Sequence, residues 1–251
     1  PNMILFDIQA NDKDSVAQLV RNHGMPLMQQ VGVVTTRVES IDGQTKQQYE
    51  LEHPDPDSLS KDEAGRRGGI PRADDDRISR WVWDREYRVT FRDTLIETEK
   101  IVEGAWVGEH TPGQPIKISI SDRLQRSMKA KIGTRIVFNV QGARLDCEVA
   151  SIREVDLNRV QTNFLVVFPK GVLERAPQFH VIVSKVKDAD QSAKFQNELV
   201  KRYPSVSAID LTQILRSVDE VLRKVSFVIQ FMAMFSILTG LLVLFLSLIH
   251  I

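Results

Sequence analysis

The sequence predicts an α+β protein in which a two-lobed extracytoplasmic domain is carried on a long helix that continues into a transmembrane span. Three observations predict this fold class. Residues 1–51 and 171–209 each contain strand patterns around one amphipathic helix, whereas residues 86–170 between them are mainly strand-like. The third is that the chain from Val225 to Ile249 carries no formal charge. We therefore expect one lobe from the two outer segments, a second lobe inserted between them, and a membrane anchor.

The composition excludes several classes of protein. The 251 residues include 33 Lys and Arg against 33 Asp and Glu, so no net charge attracts nucleic acid, and we predict no nucleic-acid partner. The single cysteine, Cys147, cannot form an internal disulfide, and its alternation with Leu145 and Val149 predicts a buried strand thiol. Because the chain opens with Pro1 and has no signal sequence, we expect a piece of a longer polypeptide.

The outer segments predict a β-α-β-β unit and, later in the chain, a β-α-β unit that share one sheet backed by two helices. Asp12 opens the first helix and Gly24 closes it, and Asp42-Gly43 is a turn typical of a hairpin. The predicted strands are Met3–Ile8, Val31–Val38, a strand through Tyr49–Leu51, Phe179–Val183 and 206–209, and the second helix is 190–203.

Residues 52–85 follow the first segment and are rich in Asp, Pro, Gly, Ser and Arg. Such a composition cannot bury enough apolar surface to fold, so we predict a disordered excursion. The acidic run 74–76 lacks the spaced ligands and the turn glycine of a calcium loop, which favours a solvated charge run. Trp81 and Trp83 either contact a ligand or lipid surface or, as we favour, attach the returning chain to the core.

The middle block, 86–170, predicts a mainly β lobe. Ser121 begins a short helix that Gly133 ends, and Gln141-Gly142 joins the two strands of a hairpin. The strand patterns begin near Tyr87 and continue at 116–120, 135–140, 144–149 and 164–168.

The C-terminal part predicts one uninterrupted helix, with a stalk at 210–224 and a transmembrane helix at 225–249. Asp210 and Gln213 have the spacing of a capping box, and no Gly or Pro interrupts the pattern before Gly240. The uncharged segment is long enough, at about 37 Å, to cross a hydrocarbon core of about 30 Å. A buried core helix is the alternative, but such a helix is seldom apolar on all sides over this length.

Two sets of residues on this helix are candidate functional residues. The apolar face of the stalk is a candidate for coupling, and its residues are Leu211, Leu215, Val218 and Leu222. Within the span, Ala233, Ser236 and Gly240 place small side chains on nearly the same face, where another helix can pack closely. The alternative is that small residues are common in membrane helices and have no packing role here.

No sequence pattern typical of catalysis, cofactor binding or metal binding is present. The five histidines are scattered, and there is no G-x-S-x-G elbow, no phosphate-binding loop and no dinucleotide fingerprint. We therefore predict no catalytic, cofactor-binding or metal-ligating residues. Any energy source is expected on another chain or on another part of this polypeptide.

Three stretches resemble the FtsX/MacB-type ABC transporter permeases, and among them the YbbP-like permeases. They are the segment REYRVTFRDTLIETEKIVEGAW at 85–106, the segment from LQRSMK to ERAP at 124–177, and the stalk running into FMAMFSILTGLLVL at 231–244. Within the second stretch, the segments IREVD, NFLVVFPKGVL and AP are the part of the resemblance most specific to these permeases. The resemblance covers essentially the whole chain.

This resemblance implies a periplasmic domain between the first two spans of a four-helix unit, divided into a porter-like α+β lobe and an inserted β-rich lobe. It implies a cytoplasmic ABC ATPase as a separate partner, other transmembrane helices of the same permease, contact with membrane lipid, and a multi-pass location in the bacterial inner membrane. The ATP-driven motion would reach a periplasmic or lipid-type substrate. Such domains have no catalytic residues.

Two other functions stay open at this point. The same stalk would signal inward if the domain were the ligand-binding or sensory part of a membrane receptor. A membrane-tethered enzyme is disfavoured because the sequence lacks nucleophile and metal patterns. Arg223 and Lys224 precede the span, and the positive-inside rule alone would place this flank in the cytoplasm, whereas the resemblance places it outside.

The first prediction concerns the excursion. Replacing residues 54–76 by a short Gly/Ser linker is expected to leave the melting temperature nearly unchanged, because this composition supplies no core. Thermal and urea unfolding of the two proteins measure the difference. A loss of more than about 2 kcal/mol, the scale of losing a buried residue, would show that the segment is packed.

Overall fold

The computed structural model describes residues 2–53, 77–156 and 162–249, with side chains of the last helix at 211 and 222–240. The strands are β1 (Met3–Gln9), β2 (Leu27–Ile41), β3 (Gln44–Thr45), β4 (Glu86–Phe91), β5 (Glu99–Gly104), β6 (Ile116–Ser121), β7 (Arg135–Val140), β8 (Ala143–Val155), β9 (Val166–Phe168), β10 (Phe179–Ser184) and β11 (Ser207–Asp210). The helices are α1 (Lys13–Asn22), α2 (Lys46–Glu52), α3 (Arg80–Asp84), α4 (Asp122–Met128), α5 (Ala189–Arg202) and α6 (Leu211–Ile249). The predicted mixture of helices and strands is confirmed.

The two outer segments of the chain meet in one antiparallel sheet with the strand order β11-β1-β10-β2. Met3 of β1 pairs with Ser184 of β10 on one side and with Asp210 of β11 on the other. The predicted strands Met3–Ile8 and Phe179–Val183 therefore lie in the same sheet, as expected. Helices α1 and α5 pack against one face of this sheet. The core between them includes Met3, Leu5, Ile8, Val16, Leu19, Val20, Ile182, Phe195 and Leu199.

Six strands form a closed barrel beside this sheet. Their order is β2-β4-β9-β6-β8-β7, and β7 pairs back to β2. Closure leaves no free strand edge within the ring, and β5 pairs with β8 outside it. Phe138 and Phe168 lie wholly buried in the barrel core with ring centroids 5.7 Å apart, and Tyr87 meets Phe138 edge to face. The middle block is thus mainly β, as predicted.

Strand β2 belongs to both the sheet and the barrel. Its first part, Leu27–Val33, pairs with β10, and its second part, Val34–Ile41, pairs with β4 and β7. The boundary predicted from the sequence places all of residues 1–51 in the first lobe, whereas the second part of β2 contributes to the barrel. The division into two lobes otherwise stays a prediction.

The segment after β2 differs from the sequence prediction. Residues Lys46–Glu52 form helix α2, so the predicted strand through Tyr49–Leu51 is wrong. Thr45 is the N-cap, its hydroxyl accepts from the amide of Gln48, and the Gln48 side chain accepts from the amide of Thr45. This capping box favours a helix at the position where the hairpin pattern predicted a strand.

The predicted disordered excursion, 52–85, is wrong at both of its ends. Its first residue lies in α2 and its last turn forms α3. Val82 is wholly buried and Trp83 is buried beside it, which confirms that this segment attaches the returning chain to the core. The remainder, 54–76, with its acidic run at 74–76, lies outside the described residues.

Three other local predictions are confirmed. The Ser121 hydroxyl accepts from the Leu124 amide at 3.2 Å and caps α4. Gln141 and Gly142, with φ of 49° and 96°, form the turn between β7 and β8. Cys147 is buried on β8, and burial raises the pKa of its thiol well above the usual range, so the thiol is unreactive at neutral pH.

Helix α6 follows β11 without an intervening residue and continues for 39 residues, or about 58 Å. The predicted stalk at 210–224 and transmembrane helix at 225–249 therefore lie on a single helix, except that Asp210 is the last residue of β11. Its segment Leu222–Gly240 is long and apolar enough to cross a membrane, and none of that segment is buried within the described structure.

The second prediction tests the barrel core. Phe138→Ala is expected to lower the free energy of unfolding by about 3–5 kcal/mol, because Phe138 is wholly buried between two aromatic rings. Val102→Ala is the control, since Val102 is 62% exposed on β5 and its truncation should cost less than about 0.5 kcal/mol. Equal losses in urea unfolding of the two variants would contradict a packed barrel interior.

Candidate functional site: the junction between the domain and the C-terminal helix

The first residue of α6 is hydrogen-bonded to the first strand of the sheet. The amide of Leu211 donates to the carbonyl of Asn2 at 2.8 Å. The residue before it, Asp210, pairs with Met3 in the β11–β1 ladder. The N-terminal turn of a helix has amides without intrahelical acceptors, so this bond satisfies one of them. The helix is thus attached to the sheet by the backbone itself.

The side chain of Asn2 extends this attachment to the segment between β10 and α5. Its amide nitrogen donates to the Val186 carbonyl at 3.0 Å, and its oxygen accepts from the Val186 amide at 2.8 Å. The backbone amide of Asn2 donates to Ser184 at 3.1 Å. An Asn side chain is suited to this role because it carries a donor and an acceptor. Asn2 therefore joins the ends of β10 and α6.

A second contact joins α5 to the same junction. The hydroxyl of Ser192, which is 1% exposed, donates to Oδ2 of Asp210 at 2.5 Å. Ser192 also accepts from the Gln196 side chain at 2.9 Å, so its hydroxyl acts both as a donor and as an acceptor. The carboxylate of Asp210 lies immediately before α6, where the partial positive charge of a helix N-terminus stabilises an anion. Asp210, Asn2 and Ser192 form what we call the junction.

The predicted stalk-coupling residues are distributed unevenly with respect to this junction. Leu211 is half-buried at the start of α6, and its backbone is part of the junction. Leu222 is 57% exposed at the beginning of the apolar segment. The side chains of Leu215 and Val218 lie outside the described residues, although their backbone belongs to α6. Of these four predicted residues, only Leu211 is seen to contact the sheet within the described residues.

The small residues of the apolar segment lie on an exposed part of α6. The Ser236 hydroxyl donates to the Met232 carbonyl of its own helix at 3.0 Å, and Thr239 does the same to Phe235 at 2.9 Å. A methyl group added at Gly240 would meet no atom within 4 Å of the described protein. Ala233, Ser236 and Gly240 thus contact no other described element, and their packing role stays a prediction.

Most of the junction was not predicted from the sequence. Asp210 was recognised only as a helix cap, and neither Asn2 nor Ser192 was identified as a candidate. Val186, the partner of the Asn2 side chain, is 184 residues away in the chain, so no local pattern signals this contact. Among the described residues, no group of three or more His, Cys, Asp or Glu side chains could hold a metal ion.

Comparisons with known proteins identify relatives. No protein-family model matches the chain. The chain is 26% identical over 135 residues to a protein of Escherichia coli (strain K12) that is named as the uncharacterized ABC transporter permease YbbP. The predicted resemblance to FtsX/MacB-type ABC transporter permeases is confirmed. The match covers 54% of the chain but only 16% of YbbP, so it concerns a small part of that permease.

A solved structure is also similar to this chain. It is the periplasmic region of MacB from Actinobacillus actinomycetemcomitans, which aligns with a TM-score of 0.43 and 7% sequence identity. The alignment covers 87% of the chain and 92% of that structure.

The third prediction tests the junction. Asn2→Ala removes both side-chain hydrogen bonds to Val186 and is expected to cost about 1–3 kcal/mol of stability. Hydrogen exchange of the Val186 and Leu211 amides should become faster. Asn22→Ala is the control, because Asn22 makes only an exposed contact with Gln18. Unchanged exchange at Leu211 in the first variant would show that Asn2 does not hold the start of α6.

Proposed function

We propose that the chain is the periplasmic domain and following transmembrane helix of an ABC transporter permease subunit, in which the domain transmits ATP-driven motion from a separate ATPase to a periplasmic or lipid-type substrate. The observation that carries this proposal is the direct, hydrogen-bonded continuation of β11 into α6. A flexible linker would absorb a displacement, whereas a helix attached to a sheet passes it on.

The lengths along α6 support this role. The segment from Leu211 to the start of the apolar window at Leu222 covers about 16 Å, so in a membrane protein the sheet would be a short distance from the bilayer. The apolar window then enters the hydrocarbon region. A movement of the membrane helix would therefore reach the sheet through about three helical turns.

The position of the two outer strands supports an insertion between membrane helices. Met3 of β1 pairs antiparallel with Asp210 of β11, so a segment preceding Asn2 in a longer protein would leave the sheet beside α6. A domain that enters and leaves at one point can be moved by two neighbouring helices. Within the membrane, we propose that Ala233, Ser236 and Gly240 face other helices of the same permease, with lipid on the remaining sides.

The proposed partners and location follow from the sequence similarity to a permease. The partner is a cytoplasmic ABC ATPase, and the whole protein is a multi-pass protein of the bacterial inner membrane with this domain in the periplasm. The subunit itself is non-catalytic. In the domain, the helix-backed sheet would act as the porter-like lobe and the barrel as the inserted β-rich lobe, with residues 34–41 of β2 joining the two.

The fourth prediction tests transmission through α6. Ser217→Pro in the full-length permease removes one helical hydrogen bond and introduces a clash costing about 3 kcal/mol, which kinks the helix. We expect this variant to insert and to retain its ATPase. To measure the motion, a donor dye is attached to a cysteine introduced by Val200→Cys, at an exposed site on α5, and acceptor dyes are placed on the lipids of proteoliposomes. In the unaltered helix we expect ATP to change the energy transfer between donor and acceptors, and in the proline variant we expect this change to be lost. Cys147 is buried, so it should not react with the dye, and any cysteine elsewhere in the full-length permease is first replaced by serine.

Ser217→Ala is the matched control, because it keeps the helix and changes little else. It should retain both the ATP-dependent signal and the transport-dependent phenotype. A proline variant that inserts normally and keeps the full signal would contradict transmission through a continuous helix. That outcome would favour a loosely tethered ligand-binding domain, as in a membrane receptor.

A further inference from the structure

A buried cluster of charged side chains lies where β5, β6 and β8 meet. Arg153 contacts one carboxylate oxygen of Glu99, and Arg92 contacts the other. The side chains of Arg153 and Glu99 are wholly buried, and that of Arg92 is 11% exposed. Two guanidinium groups against one carboxylate leave the cluster with a net charge of +1. Buried charges without compensation are costly, so this excess requires an explanation.

The hydrogen bonds of the two arginines differ. Arg153 donates from Nε to the Ser119 hydroxyl at 2.9 Å and from Nη2 to the Phe164 carbonyl at 3.1 Å, so it has partners on several sides. Burial lowers the pKa of Arg153 to about 10, Glu99 opposes this, and the charge of Arg92 adds to the lowering. In Arg92, by contrast, Nε and Nη1 are buried and have no hydrogen-bond partner within the part of the chain that the structure describes.

The side chain of Trp106 lies next to the guanidinium group of Arg92. The guanidinium carbon of Arg92 lies 6.0 Å from the centroid of the Trp106 ring, and the indole nitrogen of Trp106 donates to the Asp93 carbonyl at 2.8 Å. Trp106 also packs against an apolar cluster between the barrel and the open face of the sheet. The buried members of that cluster are Val33, Phe164, Val167 and Val181.

The backbone around Trp106 is placed by two glycines. A Cβ atom at Gly104 would lie 2.2 Å from the Ala150 carbonyl oxygen, and φ at Gly104 is +78°. A Cβ atom at Gly108 would lie 2.3 Å from the Asp93 carbonyl oxygen. Only glycine allows both close approaches. The segment that carries Trp106 is therefore held against β8 at one end and against Asp93, the neighbour of Arg92, at the other.

We propose that Arg92 and Trp106 form a binding site for a carboxylate or phosphate group of a ligand. An anion at Nε or Nη1 satisfies buried donors and offsets the positive charge of the cluster, and a singly charged carboxylate brings that charge to zero. Trp106 and other partly buried side chains packed against that cluster, which are Ile4, Phe6, Val31 and Phe179, give the same site a surface for an attached hydrocarbon chain. The anion is thus either free or the head group of an amphiphile, and the two sources share the contact to Arg92. This site does not depend on the proposed transport role.

The test is the melting temperature of the full chain in a non-ionic detergent. Phosphate and acetate represent free anions, decyl phosphate and decanoate represent head groups on a chain, and decanol is the uncharged control. A ligand at about five times its dissociation constant should raise the melting temperature by about 2–4 °C. Phosphate or acetate acting alone identifies a free anion, and the decyl compounds acting alone identify an amphiphile.

Arg92→Met removes the donors and leaves Glu99 paired with Arg153, so it should fold and show no ligand-dependent rise. Arg92→Lys keeps the charge but lacks Nε and Nη1, and it should bind about tenfold more weakly. Arg126→Met, at an exposed ion pair with Asp122, is the matched control and should respond as the unaltered protein does.

Tryptophan fluorescence supplies an independent reading. A ligand beside Trp106 should change the emission of the unaltered protein and of Arg126→Met, but not that of Trp106→Phe, in which Trp81 and Trp83 remain. The proposal is overturned if none of the four anions raises the melting temperature, or if the rise is the same in Arg92→Met. An equal rise with decanol would also overturn it, because the anion would then have no role.

Discussion

The fold depends on one strand, β2, being shared by a sheet and a barrel. Its 15 residues span about 50 Å, and they pair first with β10 and then with β4 and β7. A strand paired along its length cannot bend freely, because bending breaks ladder hydrogen bonds. The helix-backed sheet and the barrel are therefore connected by hydrogen-bonded backbone rather than by a linker, and a rotation of one relative to the other has to distort β2.

The same ladder continues in the opposite direction to α6. From β2 it passes through β10 and β1 to β11, and β11 becomes α6 without a loop. Asn2 and Ser192 add contacts that link α6 to the β10–α5 segment and to α5 itself. Each of these bonds is modest alone, at about 1 kcal/mol net. In the proposed function, their arrangement in series along adjacent strands would carry a displacement of α6 to the barrel.

Most of the elements could be predicted from the sequence, because they follow from local patterns. Apolar periodicity, the Ser121 cap and the Gln141-Gly142 turn all act within a few residues. The strand through Tyr49–Leu51 was wrong because a capping box at Thr45 and Gln48 was overlooked. Closure of the barrel, by contrast, depends on pairing such as β2 with β7, about 100 residues apart, which no local pattern contains. For the same reason neither the junction partners of Asn2 nor the cluster at Arg92 could be predicted.

The position of the charged cluster connects ligand binding with the mechanical path. Arg92 follows β4 directly and its amide donates to Phe168 at the end of β9, so it belongs to the barrel. Trp106 packs against side chains of β2 and β10, which belong to the sheet. A ligand bound to Nε or Nη1 of Arg92 and packed beside Trp106 would contact both parts, and its affinity would differ between arrangements in which the barrel and the sheet are differently spaced. By reciprocity, a displacement of the sheet that weakens this binding is itself opposed by the bound ligand. In the proposed function, motion arriving through α6 would therefore change the occupancy of this proposed site at the barrel–sheet boundary.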